Sequence, residues 1–157
     1  MRSYLEYTTG SYKTWQAIRN KCENDAGGVC EICGDTSQKY GVKHSTECHE
    51  VWSYDEEIQI QKLEYLIALC VRCHKIVHLN QHKAIEEDWK SLLKDYEYLN
   101  NITAKQAKNY YDKSLSRQKR QSSIKFKIDL SFIQGPSNFD PHAKEFEEFL
   151  IKFKEKD

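Results

Sequence analysis

The sequence predicts an α+β fold: a finger of two strands and one helix clamped by paired cysteines, with flanking helices and a C-terminal strand-helix extension. Three observations predict it. Cys30 and Cys33, in C-E-I-C-G, and Cys70 and Cys73, in C-V-R-C-H, form two C-x-x-C pairs separated by 36 residues. Between the pairs, Leu63, Tyr65, Ile67 and Leu69 alternate with Lys62, Glu64, Leu66 and Ala68, the period-two pattern of a strand. Beyond them, Ile85, Trp89, Leu92, Tyr96 and Leu99 repeat at steps of four and three, which is one face of a helix.

A chain of 157 residues suits one compact unit, read in three parts: a helical segment over 1–28, the cysteine-clamped core over 29–83, and an extension over 84–157. Charged residues make up 31%, but 12% is aromatic, enough for a true core and against a disordered chain. With 24 basic and 24 acidic residues the formal charge is zero, so any field that attracts nucleic acid must be local. No apolar run approaches the roughly 20 residues of a membrane span, and the first residues lack the apolar stretch of a signal peptide. The expectation is a cytoplasmic protein with no membrane partner. In that reducing setting, paired cysteines point to metal rather than to disulfides.

Residues 11 to 26 predict a helix, with Ser11 as cap, Trp15, Ile18 and Cys22 on its apolar stripe, and Gly27 and Gly28 ending it. Cys22 on that stripe reads as a buried thiol. Cys30, Cys33 and Gly34 form a metal knuckle, the glycine letting the chain turn back. Thr46 to Tyr54 suits a first strand, and Asp55, Glu56 and Glu57 mark the loop to the second. After Cys73 a short helix is expected, carrying His74 and His78 at i and i+4 on one face. The helix of Trp89 and Leu92 comes next, and Thr103 caps another through Ala107, Tyr110, Tyr111 and Leu115. Ile124, Phe126, Ile128, Leu130 and Phe132 alternate with polar residues and predict a strand. Asp140-Pro141 then opens a last helix with Phe146, Phe149, Leu150 and Phe153 inside.

Four cysteines at this spacing imply a tetrahedral structural zinc site, in which all positions are filled by protein. Such a site holds shape and leaves no position for substrate, so chemistry falls to the histidines. His44, His49, His74 and His78 lie in or beside the two motifs. His44 reads as a surface loop position, and His82 and His142 as solvated helix residues.

The motifs C-E-I-C-G, E-C-H-E-V-W, L-I-A-L-C-V-R-C-H and the trailing His78 resemble the HNH endonucleases of the ββα-metal class. More loosely, the resemblance extends over about residues 12 to 133. It implies a metal-dependent hydrolase of DNA phosphodiester bonds. His49 matches the general base that activates water, and His74 matches the helix-borne ligand of one divalent catalytic ion. His78 lies one turn on, and Cys48 takes the ligand position where the family has aspartate. Mg²⁺, Mn²⁺, Ni²⁺ and Zn²⁺ are the candidate ions, Cys48 favouring a thiophilic one. Glu50 is the nearest carboxylate. On a regular strand it shares a face with Cys48 and not with His49, so a bulge is needed to bring Glu50 to the site. Tyr65 stands where the family has the asparagine that orients the base, and Gln61 is the nearest amide.

From Lys113 to Lys127 six basic residues, Lys113, Arg117, Lys119, Arg120, Lys125 and Lys127, occur without an acid. Alone, such a run reads as a solvated helix end. Beside a nuclease-like finger it predicts phosphate contacts, which hold DNA without reading sequence. DNA is the expected partner, with RNA and a homodimer or larger complex left open. The rival expectation is a non-catalytic zinc module that binds nucleic acid or protein.

Overall fold

The computed structural model describes residues 12–81 and 86–134. Helix α1 spans Tyr12–Asp25. It buries Trp15 and Ile18 and ends where Gly27 and Gly28 take φ of +62° and +71°. Gly28 N donates to Glu23 O at 3.0 Å and Gly27 N to Asn24 O at 2.9 Å, closing the helix in a Schellman motif. A side chain at Gly28 would be strained by that φ, and its Cβ would lie 3.3 Å from Ser45 Cβ.

Strands β1 (Glu47–Asp55) and β2 (Ile60–Leu69) form an antiparallel hairpin. Asp55 closes its turn by accepting from the amides of Glu57 and Ile58 at 3.0 and 3.1 Å. The register shifts between Val51 and Trp52, because Glu64 has no opposite number. Helix α2 (Val71–Val77) follows β2 after one residue, Cys70, whose sulfur accepts from Cys73 N. Helix α3 (Glu86–Asn100) packs on α2, and α4 (Ala104–Gln121) returns along α3. Thr103 caps α4 in a full capping box with Gln106. Arg72 of α2 pairs with Asp95 of α3, lies 3.8 Å from Asp88, and donates to Ser91 Oγ at 2.6 Å.

The expected strand through Phe132 is corrected. Only Lys127–Asp129 is strand, β3, which pairs parallel to β2 at Ile60 to Lys62 and gives the sheet order β1-β2-β3. Asp129 Oδ1 then accepts from Ser131 N at 2.8 Å and turns the chain into the short helix α5, Ser131–Gln134. Leu130 and Ile133, three apart, are thereby both buried. The alternating apolar residues serve a strand and a helical turn in succession. The helix expected after Asp140-Pro141 lies outside the described residues, as do Ser11, His82, Ile85 and His142.

The result is a mixed α+β fold with a three-stranded sheet and five α-helices among the described residues. Three buried clusters hold it. One lies between the sheet, α1 and α5, and gathers Trp15, Ile18, Cys48, Leu63, Leu130 and Ile133. A second surrounds the paired cysteines with Leu69, and a third joins Ile76, Leu79, Leu92 and Tyr111. Leu63 is fully buried on the central strand. Leu63→Ala is expected to destabilise the fold by about 2–5 kcal/mol, read as a lower urea midpoint at unchanged slope. No helix among the described residues is long and apolar enough to cross a membrane.

Candidate metal centres

The four cysteines come together from the loop after α1 and from the junction of β2 with α2. Cys30 and Cys33 lie in the loop after α1, Cys70 ends β2, and Cys73 sits in the first turn of α2. Their sulfurs all lie within 4.8 Å of one another. Cys33 Sγ and Cys70 Sγ are 3.7 Å apart, close to the edge of about 3.8 Å for a tetrahedron with Zn–S near 2.3 Å. Gly34, at φ +75°, donates to Cys30 O at 2.9 Å and turns the knuckle. Glu31 then latches it to β2: its N donates to Ala68 O at 3.0 Å, and its carboxylate accepts from Ala68 N at 2.6 Å. Buried Ser37 ties the following loop to α2 by accepting from Val71 N at 2.9 Å.

The electrostatics suit a cation. Burial opposes ionisation at Cys30, but amides of Cys33, Cys70 and Ile32 outweigh it and the thiol is lowered. Burial pushes Cys33 up to about 11, and Cys73 is pushed up as well, first by burial and then by the neighbouring sulfurs. Four crowded thiols cannot all ionise without a positive charge among them. The group could hold a zinc ion.

The second centre is made of imidazoles. His49 on β1 faces His74 on α2 and His78, the residue that caps the C-terminus of α2, and their ligating atoms lie within 4.8 Å of one another. The ring centroids form a near-equilateral triangle, 5.2 Å for His49 to His74 and 4.9 Å for each other pair. Burial, and then charge on His78 and His74, lowers His49 to about 4, which leaves its ring neutral at pH 7 with a lone pair to give.

A residue not singled out in the sequence completes this centre. Glu47 Oε2 accepts from His74 Nδ1 at 2.6 Å, and Oε1 accepts from His44 Nε2 at 2.9 Å. The hydrogen bond to His74 comes first among the causes that lower the Glu47 carboxyl below its usual range. With Nδ1 engaged, His74 presents Nε2 to an ion, the usual outer-sphere role of a carboxylate behind a ligating histidine. The signal was available: Glu47 and His49 are two apart on one strand, hence on one face. His44, expected as a surface loop residue, is 46% exposed and hydrogen-bonded into the same group.

Two expected participants lie elsewhere. Cys48 is 7% exposed and belongs to the cluster beneath the sheet, on the face opposite His49. A hydrogen bond with Cys22, and then burial, pushes its thiol far up, so it stays protonated and is no candidate for the imidazole centre. Cys22, expected as a buried thiol, is partly buried against that cluster. Glu50 shares the Cys48 side, where its charge acts on Cys48 and on Tyr54, and it does not join the imidazoles. The register shift that could have redirected Glu50 falls after Val51, too late in the strand. Tyr65 is half exposed opposite Val51, and Gln61 lies opposite Tyr54 at the far end of the hairpin.

All six basic residues from Lys113 to Lys127 are exposed. Arg120 is held by Glu56, donating from Nε and Nη2 at 2.7 and 2.8 Å. Comparison with known proteins finds no family model that matches the chain, and no significant match among curated proteins or solved structures.

Proposed function

We propose that the chain is a metal-dependent phosphodiesterase, an HNH-type endonuclease that hydrolyses DNA, with zinc clamped by Cys30, Cys33, Cys70 and Cys73. The observation that carries this reading is the convergence of His49, His74 and His78 within 4.8 Å beside the four-cysteine group. Elements in the order hairpin then helix, β1-β2-α2, support the ββα-metal assignment.

His74 and His78, one helical turn apart, would hold the catalytic ion, with Glu47 fixing the His74 ring through Nδ1. Imidazoles without a carboxylate among them suit Zn²⁺ or Ni²⁺ better than Mg²⁺, which prefers oxygen. A divalent ion there supplies Lewis-acid stabilisation of the charge that develops on the phosphate and the leaving oxygen. His49 takes the proton from the attacking water at its free ring nitrogen, since it is neutral and faces the same space. The exposed Lys113 to Lys127 run supplies phosphate contacts along the strand.

Supercoiled plasmid incubated with Mg²⁺, Mn²⁺, Ni²⁺ or Zn²⁺ tests the reading. Nicking is expected, strongest with Ni²⁺ or Zn²⁺. Metal analysis separates the rival, a non-catalytic zinc module favoured by Tyr65 in the asparagine position. One tightly held zinc per chain, no affinity for a second ion and no nicking would establish that module instead. Glu47→Gln is expected to weaken binding of the second ion about 10–100-fold while leaving the first in place, measured by metal titration of the zinc-loaded protein.

A further inference from the structure

A cleft of about 760 Å³ opens beside the end of α2, where Val77 and Leu79, which bracket His78 in the chain, form part of its wall. Its other walls are the far half of β1, with Trp52 and Tyr54, and the face of α4 that carries Tyr110, Tyr111, Arg117 and Gln118. On α4 these residues fall at i, i+1, i+7 and i+8, so one helical face turns aromatic rings, a guanidinium and an amide toward the cleft.

Three features show what the cleft suits. Tyr54 and Tyr110 are 40% and 53% exposed, large flat surfaces left in water at its rim. Tyr111, 4% exposed, adds a further aromatic ring to the wall. Arg117 makes no ion pair among the described residues, whereas Arg120, one turn on, is neutralised by Glu56. Outside the cleft, Tyr54 meets Phe126 edge to face at 5.4 Å between ring centroids, with exposed Lys125 and Lys127 on either side of Phe126.

Stacking surfaces beside an uncommitted cation are the chemistry of unpaired nucleotides. A duplex hides its base faces and could use only the charges. We propose that this cleft binds single-stranded nucleic acid, seating an unpaired base against Tyr54 and Tyr110 with the adjoining phosphate at Arg117. The cleft thereby leads an unpaired strand past His78. The inference rests on the polynucleotide substrate proposed above but does not require cleavage.

Fluorescence anisotropy with an end-labelled DNA oligonucleotide, single-stranded or annealed to its complement, tests it in the zinc-loaded His49→Ala protein, in which cleavage is suppressed. The single strand is expected to bind at least about tenfold more tightly than the duplex, because only it offers base faces. Tyr110→Ala and Arg117→Gln are each expected to weaken single-strand binding about 5- to 100-fold. Arg117→Gln should also flatten the dependence of log affinity on log salt by about 0.7, which a merely structural residue would not do. Lys94→Gln, on the exposed side of α3, is the control and should change neither. Duplex bound as tightly as single strand, no binding of either, or unchanged affinity in both cleft variants would overturn the proposal. Single-strand binding by a protein that never nicks plasmid would sustain the cleft and reject the nuclease.

Discussion

Stripping the metal from the four-cysteine site is expected to abolish the cooperative fold. A structural zinc of this type contributes apparent binding energy of about 10–16 kcal/mol, as much as the whole net stability of about 5–15 kcal/mol for a domain. The site sits where that loss would spread. Cys70 ends the central strand, caps α2 through its sulfur and is fully buried beside Leu69. Cys30 and Cys33 anchor a loop whose tertiary attachments are few: the Glu31 latch on Ala68 and the bond between Ser37 and Val71. Without the ion, Cys33 and Cys73 stay protonated, and the four sulfurs within 4.8 Å lose the bonds that tie the loop to β2 and α2. Circular dichroism melts should therefore show a sharp transition for the zinc protein and a broad, early one after chelation or in Cys70→Ser. An unchanged melt in protein shown by metal analysis to be zinc-free would remove the clamp from the account.

That site was legible because its evidence is local: the spacing of four cysteines and a glycine after the first pair are enough. The same holds for α1, whose Trp15 and Ile18 stripe and paired glycines are both sequence features, and for the capping box at Thr103. The stretch from Ile124 to Phe132 was not legible. Its alternation satisfies a strand, but Asp129 Oδ1 captures Ser131 N and starts a helical turn that buries Leu130 with Ile133. A side chain competing for a backbone amide leaves no trace in a hydrophobic pattern.

The imidazole centre was legible in part. His74 and His78 follow from the step of four on a helix. That His49 meets them depends on how α2 folds back on the hairpin, which no spacing specifies. Cys48 drew attention as a soft ligand because of its neighbours in sequence. Strand alternation sends it the other way, into apolar packing with Trp15 and Leu63. The same alternation puts Glu47 beside His49, so the carboxylate that matters precedes the histidine by two residues rather than following it by one.

His49→Ala is expected to lower the nicking rate by about 10²–10⁴, the usual contribution of a positioned general base. The substitution should leave the fold intact. His49 is only partly buried on β1, and it contributes no sulfur to the clamp and no side chain to the three buried clusters. It should also leave the second ion in place, because His78 caps the helix that carries His74, its N donating to His74 O, and Glu47 holds the His74 ring whether or not His49 is present. The decisive measurement pairs plasmid nicking with titration of Co²⁺ into zinc-loaded protein, followed by its visible absorption. Lost nicking with Co²⁺ affinity retained identifies the base. Lost nicking with Co²⁺ affinity lost makes His49 the third ligand of the same ion, a role its position within 4.8 Å of both partners also permits. Nicking equal to wild type rejects His49 in either role. His74→Ala must behave differently if the division of labour is right: it removes a ligand and strands Glu47, so ion affinity and nicking should fall together.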